Sequence, residues 1–211
     1  MTRALIILDF DRTLFSPVFY TEFIQLMTQH GLDRQTAARL IAAVSDETQS
    51  IELLTEVKAA GISEPAANSL ALTHLGHDRF LYPDVIPFLE QNRDHRIVIL
   101  TTAVDPAYQE IKLRLCPSLS RFTRIVIGRN KGEHILDHLR REGDTVGLSD
   151  LPFQMFNSLH LVDDRIEPLR SLVGQDQVSL WHIERPDSKY KGKAGTPAIH
   201  EVENLKEVKI S

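Results

Sequence analysis

Ala4-Leu5-Ile6-Ile7-Leu8 is an unbroken apolar run that ends abruptly in Asp9-Phe10-Asp11-Arg12-Thr13. Such a run, bounded by polar residues, reads as a buried strand. Two carboxylates two positions apart therefore stand where that strand meets solvent, repelling one another and losing hydration. A bound divalent cation is the common compensation. An Asp-rich turn capping the next helix is the alternative reading of the same residues. By chance the pattern arises in roughly one chain in a thousand of this length.

Further short apolar runs recur at Ile97-Leu100, Ile125-Ile127, Leu159-Val162 and Val178-Ile183. Helix-period segments lie among them, at Val85 to Asn92, Ala107 to Leu115, Lys131 to Arg141 and Ile166 to Leu172. Alternation of this kind predicts an α/β fold, a doubly wound parallel sheet with helices on both faces. The interval from Ser16 to Arg79 breaks it, because helical periodicity dominates there and no strand-like run appears. Phe19, Phe23, Leu26 and Met27 share one helix face, and Ala37, Leu40, Ile41 and Val44 share another. Asp33 and Ser63 stand at N-cap positions, the latter shortly before Pro65. We expect residues 1–15 and 80–211 to form the sheet core, with 16–79 as a helical insertion.

Open parallel sheets bind ligands outside the carboxyl ends of their strands. The first strand ends in Asp9 and Asp11, the second in Thr101-Thr102, and the fourth in Asp163-Asp164, of which only one carboxylate can cap the following helix. After the third, Gly128-Arg129-Asn130 leads to Lys131, a cation at a helix start that the helix dipole disfavours and that therefore asks for a partner. Arg129 is the rival basic group at that corner.

With 29 acidic and 24 basic residues the chain carries a formal charge of -5, which argues against a dedicated nucleic-acid binder. Cys116 is the single cysteine, so neither an intrachain disulfide framework nor a multi-cysteine zinc site is available. No stretch approaches the ~18 apolar residues of a transmembrane helix, and the start lacks a signal-peptide core; a cytoplasmic location is expected. His134 and His138 are four apart on a predicted helix but lack an accompanying acidic signature, and read as a solvated helix face. Arg185, Lys189, Lys191 and Lys193, with Tyr190, make a late loop locally basic; Glu184 and Asp187 dilute it, so it reads as solvated. Thr196 to Ile210 is expected to form a capped helix or a short strand covering a sheet edge.

The four strand ends together resemble the haloacid dehalogenase superfamily, specifically its phosphatase-like members with a small helical (C1-type) cap inserted after the first motif. Asp9-Phe10-Asp11-Arg12-Thr13 matches the first motif, Thr101 the second, Lys131 the third, and Asp163-Asp164 the paired-acid form of the fourth. The resemblance implies a Rossmann-like core and an aspartyl-phosphate mechanism, with Asp9 as nucleophile and Asp11 as general acid and base. It implies Mg2+ held by Asp9, the Asp11 backbone carbonyl and Asp164, with Asp163 ligating or orienting through water. Lys131 would neutralise one phosphoryl oxygen and Thr101 or Thr102 donate to another, with Arg12 and Thr13 also on the substrate side. Arg12 departs from the family pattern, where a small or acidic residue is usual. Phe19, Tyr20 and Arg12 are the candidates for substrate selection.

The resulting expectation is a magnesium-dependent phosphoric-monoester hydrolase acting on a small phosphometabolite, with no nucleic-acid or membrane partner and no reading of oligomeric state. A phosphotransferase or mutase with the same site, and a non-catalytic phospholigand-binding protein, are the alternatives.

Overall fold

The structure is a computed structural model and describes residues 3–45, 53–128, 130–151, 154–187 and 195–210. Arg129, Lys189, Tyr190, Lys191, Lys193 and the side chain of Val44 lie outside them. In chain order the strands are β1 (Ala4–Leu8), β2 (Arg96–Thr102), β3 (Thr123–Ile127), β4 (Leu139–Glu142), β5 (Thr145–Leu148), β6 (Ser158–Asp163), β7 (Val178–Ile183) and β8 (Ile199–Val202). The helices are α1 (Val18–Gln29), α2 (Arg34–Ser45), α3 (Leu53–Ala59), α4 (Glu64–His74), α5 (Val85–Gln91), α6 (Pro106–Arg114), α7 (Lys131–His138) and α8 (Ile166–Arg170).

Two compact units emerge. One comprises Met1–Phe15, Tyr82–Thr102 and Phe122–Ser211, the other Ser16–Leu81 and Ala103–Arg121. In the first, six parallel strands run in the order β3-β2-β1-β6-β7-β8. Every residue of β1 is buried, as its unbroken apolar run requires of a central strand. The chain leaves β1 toward β2 on one side and later fills the other side with β6, so the strand order reverses at β1. A crevice forms at the carboxyl end of a sheet where that happens.

Leu5 and Ile7 of β1, Val98 and Leu100 of β2, and Leu159 and Leu161 of β6 share one core with Ile135 of α7 and Ile166 and Leu169 of α8. Each such side chain contributes about 1.5–3 kcal/mol on full burial. Gly132 lets α7 lie close to α8, since a Cβ there would stand 2.6 Å from the Pro168 carbonyl oxygen and 2.7 Å from Ser171 Cβ.

Two segments differ from the sequence reading. The helix expected to reach Arg141 stops at His138, and Leu139, at ψ 125°, opens the two-stranded antiparallel sheet β4-β5. Gly143 turns that hairpin at φ +56°, the positive-φ first position of a II′ turn. The closing segment takes the strand alternative as edge strand β8, followed by a 3-10 turn at Leu205–Glu207.

In the helical unit, α1 packs on α2 and α4. Phe19, Phe23, Leu26 and Met27 form its buried face, and the Asp33 and Ser63 side chains accept backbone N–H bonds as N-caps. Helix α6, with a period that suits a sheet-covering helix, instead groups here and packs on α3 and α4. Phe19 is wholly buried among Phe23, Phe80 and Tyr108, which makes it core rather than a substrate-selecting side chain. Tyr20 is part-exposed, and its hydroxyl accepts from the buried Lys112 Nζ at 3.2 Å.

Candidate active site

Leu8 stands opposite Val162 in the β1–β6 register, and the Asp9 N–H donates to the Val162 carbonyl at 2.9 Å. That register carries Asp9 and Asp163 out of the sheet side by side. Beyond Asp9 the chain curls tightly. Leu14 and Phe15 N–H both donate to the Phe10 carbonyl, Arg12 N–H donates to that of Phe15, and the Phe10 and Phe15 rings stack at 4.9 Å. Arg12 sits at φ +62°, a left-handed conformation sparsely used by long side chains, which keeps the turn short.

Asn130 caps α7 by accepting from Gly132 and Glu133 N–H, and that cap sets Lys131 at the first helical position, pointing inward. Lys131 is buried, and its Nζ donates to Asp9 Oδ1 at 2.5 Å and to Asp163 Oδ2 at 2.6 Å. The partner that the helix dipole called for is thus a pair of carboxylates. Asp163 Oδ1 takes the Arg165 N–H at 3.0 Å. Asp164 is held by its backbone: its N–H donates to Thr13 Oγ1 at 3.1 Å, and its carbonyl accepts from His182 Nε2 at 3.0 Å.

Ligand oxygens of Asp9, Asp163 and Asp164 all lie within 4.8 Å of one another, and all three residues are buried. Asp9 Oδ2 and Asp164 Oδ2 have no hydrogen-bond partner among the described residues. Burial, with Asp163 and Asp11 adding repulsion, pushes the Asp9 carboxyl up to about 7 against the pull of Lys131. The Asp164 carboxyl is raised well above the usual carboxylate range by burial, then by Asp9 and Asp163, while Lys131 and Arg12 draw it down. Burial works against the Lys131 ammonium, but Asp163 and Asp9 outweigh it and hold it charged. Three carboxylates against one ammonium leave two negative charges when all are ionised, the charge of one divalent cation. The all-oxygen donor set and the two orphaned oxygens fit Mg2+.

No protein-family model matches the chain, and no curated protein matches it either. Solved structures do. A haloacid dehalogenase-like hydrolase from Burkholderia xenovorans LB400 aligns over 97% of this chain and 94% of its own, with a TM-score of 0.68 at 13% identity. The fold is that of the haloacid dehalogenase-like hydrolases. The HAD-hydrolase YfnB from Bacillus subtilis, whose crystal structure is bound to magnesium, aligns over 98% of this chain and 97% of its own, with a TM-score of 0.57 at 15% identity. A haloacid dehalogenase-like family hydrolase from Xanthomonas campestris covers 97% of this chain and 92% of its own, at TM-score 0.52 and 16% identity.

On this haloacid dehalogenase-like sheet, Lys131 bonds directly to Asp9 and Asp163, and Thr13 to the backbone of the adjacent Asp164. Asp11 is part-exposed and bridged to Phe15, close enough to act electrostatically on Asp9. Thr101 and Thr102 close β2, two and three positions beyond Ile99, the partner of Leu8; Thr101 is buried and Thr102 half-buried. Thr13 is wholly buried, its carbonyl accepting from Arg185 Nε at 3.1 Å and Nη2 at 2.7 Å.

Arg185, read above with the solvated loop, is buried. Its Nη1 donates to Asp84 Oδ2 at 2.7 Å and its guanidinium lies 4.2 Å from the Tyr82 ring centroid, contacts that span about a hundred residues of sequence. His134 is likewise not solvated but buried against Asp150. His182 escaped sequence reasoning; its register pairing with Asp163 across β6 and β7 is what places it beside the site.

Proposed function

We infer that the protein is a magnesium-dependent phosphoric-monoester hydrolase that acts on a small phosphorylated metabolite. The observation that carries this reading is the charge deficit at the carboxyl end of β1: buried Asp9, Asp163 and Asp164 face Lys131, with two carboxylate oxygens lacking a hydrogen-bond partner among the described residues. Asp9, Asp164 and the Asp11 backbone carbonyl would hold Mg2+, with Asp163 ligating it or orienting through water, and the ion when bound would supply positive charge against an incoming phosphoryl group.

Asp9 attacks phosphorus, forming an acyl phosphate as the bond to the leaving oxygen breaks, and Asp11 gives that oxygen its proton. Water then attacks phosphorus, Asp11 takes the proton, and the bond to Asp9 breaks to release inorganic phosphate. Lys131 and the Thr101 or Thr102 hydroxyl hold phosphoryl oxygens, and Arg12 stands on the substrate side. Thr13 acts by holding Asp164. A haloalkanoate offers no leaving oxygen to protonate, so Asp11 favours the phosphatase reading over a dehalogenase. The single Cys116 fits a reducing compartment, which favours a cytoplasmic assignment. Among the described residues no helix is long and apolar enough to cross a membrane.

The test is hydrolysis of p-nitrophenyl phosphate with Mg2+. Turnover is expected in the wild type, with loss on chelation and a fall of about three orders of magnitude or more in Asp9→Asn. Undiminished turnover in Asp9→Asn, or halide release from a 2-haloacid without phosphate hydrolysis, overturns the reading.

A further inference from the structure

Helix α7 carries His134 and His138 one turn apart, and the fold brings to them an acid from outside the helix, Asp150. Hairpin β4-β5 returns to the end of α7, where the Ser149 N–H donates to the His138 carbonyl at 2.8 Å. That contact lays Asp150 against the helix, with its Oδ2 2.9 Å from His134 Nε2. The two imidazoles stack with centroids 4.4 Å apart and planes inclined by 27°. One ligand atom from each of His134, His138 and Asp150 lies within 4.8 Å of the other two.

The hydrogen bonding fixes the chemistry of one ring. His138 Nδ1 lies 2.8 Å from the His134 carbonyl oxygen, and a carbonyl only accepts, so Nδ1 carries the proton. In the neutral ring Nε2 then bears an open lone pair. A metal-ligating histidine is commonly held this way, with its other nitrogen donating to a backbone carbonyl. His134 becomes the second ligand when its ring proton moves from Nε2 to Nδ1, and Asp150 turns from accepting that N–H to binding the ion.

We propose that His134, His138 and Asp150 form a second metal site, separate from the carboxylate cluster and selective for a borderline transition cation of the Zn2+ class. Two imidazoles and one carboxylate supply three ligands of a tetrahedral set and leave one position for water. The all-oxygen cluster at Asp9 suits a hard cation such as Mg2+, so the two sites sort ions by donor softness. Burial grades outward from His134 through half-buried His138 to exposed Asp150, which gives the ion a path from solvent. Among the described residues, His182, Glu184 and Glu201 form the other group containing histidine, but they offer a single imidazole and are the poorer competitor for zinc. An ion at His134, His138 and Asp150 clamps the last turn of α7 to the segment after β5. It touches no residue assigned to phosphate hydrolysis.

The experiment is calorimetric titration of tag-free protein with Zn2+ in saturating Mg2+, paired with Co2+ absorption spectra and thermal melts. Wild type is expected to bind one zinc equivalent that Asp9→Asn retains, to show visible Co2+ bands, and to melt higher with Zn2+. His138→Gln should lose that equivalent, the bands and the melting rise, while keeping the wild-type melting temperature without zinc and the Mg2+-supported activity. Asp150→Asn should weaken binding more than about tenfold. No zinc equivalent in wild type, or one retained unchanged in both His138→Gln and Asp150→Asn, overturns the proposal whatever the outcome for phosphate hydrolysis.

Discussion

Lys131 and Arg185 are both buried in the α/β unit, yet they meet opposite arrangements of charge. Arg185 faces one carboxylate, Asp84, and donates from Nε and Nη2 to the Thr13 carbonyl, while Asp84 Oδ2 also takes the Leu205 N–H at 2.6 Å. The orphan there, Asp84 Oδ1, belongs to a carboxylate whose charge is already matched. Lys131 faces Asp9 and Asp163 directly and lies within electrostatic reach of Asp164, so positive charge is short. A matched pair braces the fold; a mismatched cluster carries negative charge that a bound cation would neutralise. Stabilisation alone would not retain the second arrangement, since unpaired buried charge is strongly unfavourable.

Removing the buried lysine should therefore have the largest effect. Lys131→Met leaves three buried carboxylates without their buried counter-charge, and about 3–5 kcal/mol of stability should be lost at neutral pH. Urea unfolding should show that loss shrinking as the pH is lowered and the carboxyls protonate. Turnover in the surviving folded protein should fall by roughly a hundredfold or more. A variant of unchanged stability would mean that Lys131 is not the counter-ion described here.

Arg185→Met breaks the matched pair and should cost stability toward the lower end of the same range, about 3 kcal/mol in urea. Folded molecules should keep activity within a few-fold of wild type, because Arg185 touches no reacting atom. A collapse of turnover at full stability would erase the distinction between brace and site.

The two clusters were not equally legible in the sequence. The Asp9 site announces itself because a central parallel strand is buried on both faces, so its residues read as an unbroken apolar run that stops at its functional end. Lys131 announces itself through its conflict with the helix dipole. Arg185 could not, since Asp84 lies about a hundred residues away and the neighbouring lysines made the segment look solvated. Hairpin β4-β5 was hidden for a local reason: Leu139-Arg140-Arg141-Glu142 is largely exposed and charged, and continues a helix pattern as well as it forms a strand. Gly143-Asp144 was the available signal, and Asp150 follows from it. The grouping of α6 with the helical unit left no trace, because helical period does not say which neighbour a helix covers.

Metal binding separates the clusters by pH. In the folded protein the Asp9 carboxyl is raised from 3.8 to about 7, and that of Asp164 is raised as well. With a chelator present their contribution to stability is full below 3.8 and is lost as the pH rises through about 7, since ionisation in a buried site opposes folding. Adding Mg2+ should reverse that slope, and at a hundred times its dissociation constant it should stabilise by about 2.7 kcal/mol. Thermal melts of wild type across pH 5 to 8, with Mg2+ and with chelator, should diverge with rising pH. Parallel curves would count against the carboxylate cluster as a cation site. Asp164→Asn should flatten the Mg2+ response without touching the Arg185 pair.

The smallest effect tests the residue that joins the two regions. Thr13 gives its backbone carbonyl to Arg185 and its hydroxyl oxygen to the Asp164 N–H, so one residue links the matched pair to the mismatched cluster. Thr13→Val keeps shape and volume but leaves the Asp164 N–H buried without an acceptor, a loss of about 1–2 kcal/mol. A purely structural threonine would show only that. If Thr13 also fixes Asp164 for the cation, the Mg2+ concentration giving half-maximal activity should rise several-fold in Thr13→Val and return to wild type in Thr13→Ser, which restores the hydroxyl. Equal Mg2+ dependence in both variants would reduce Thr13 to packing and leave the brace and the site as independent features of the same sheet.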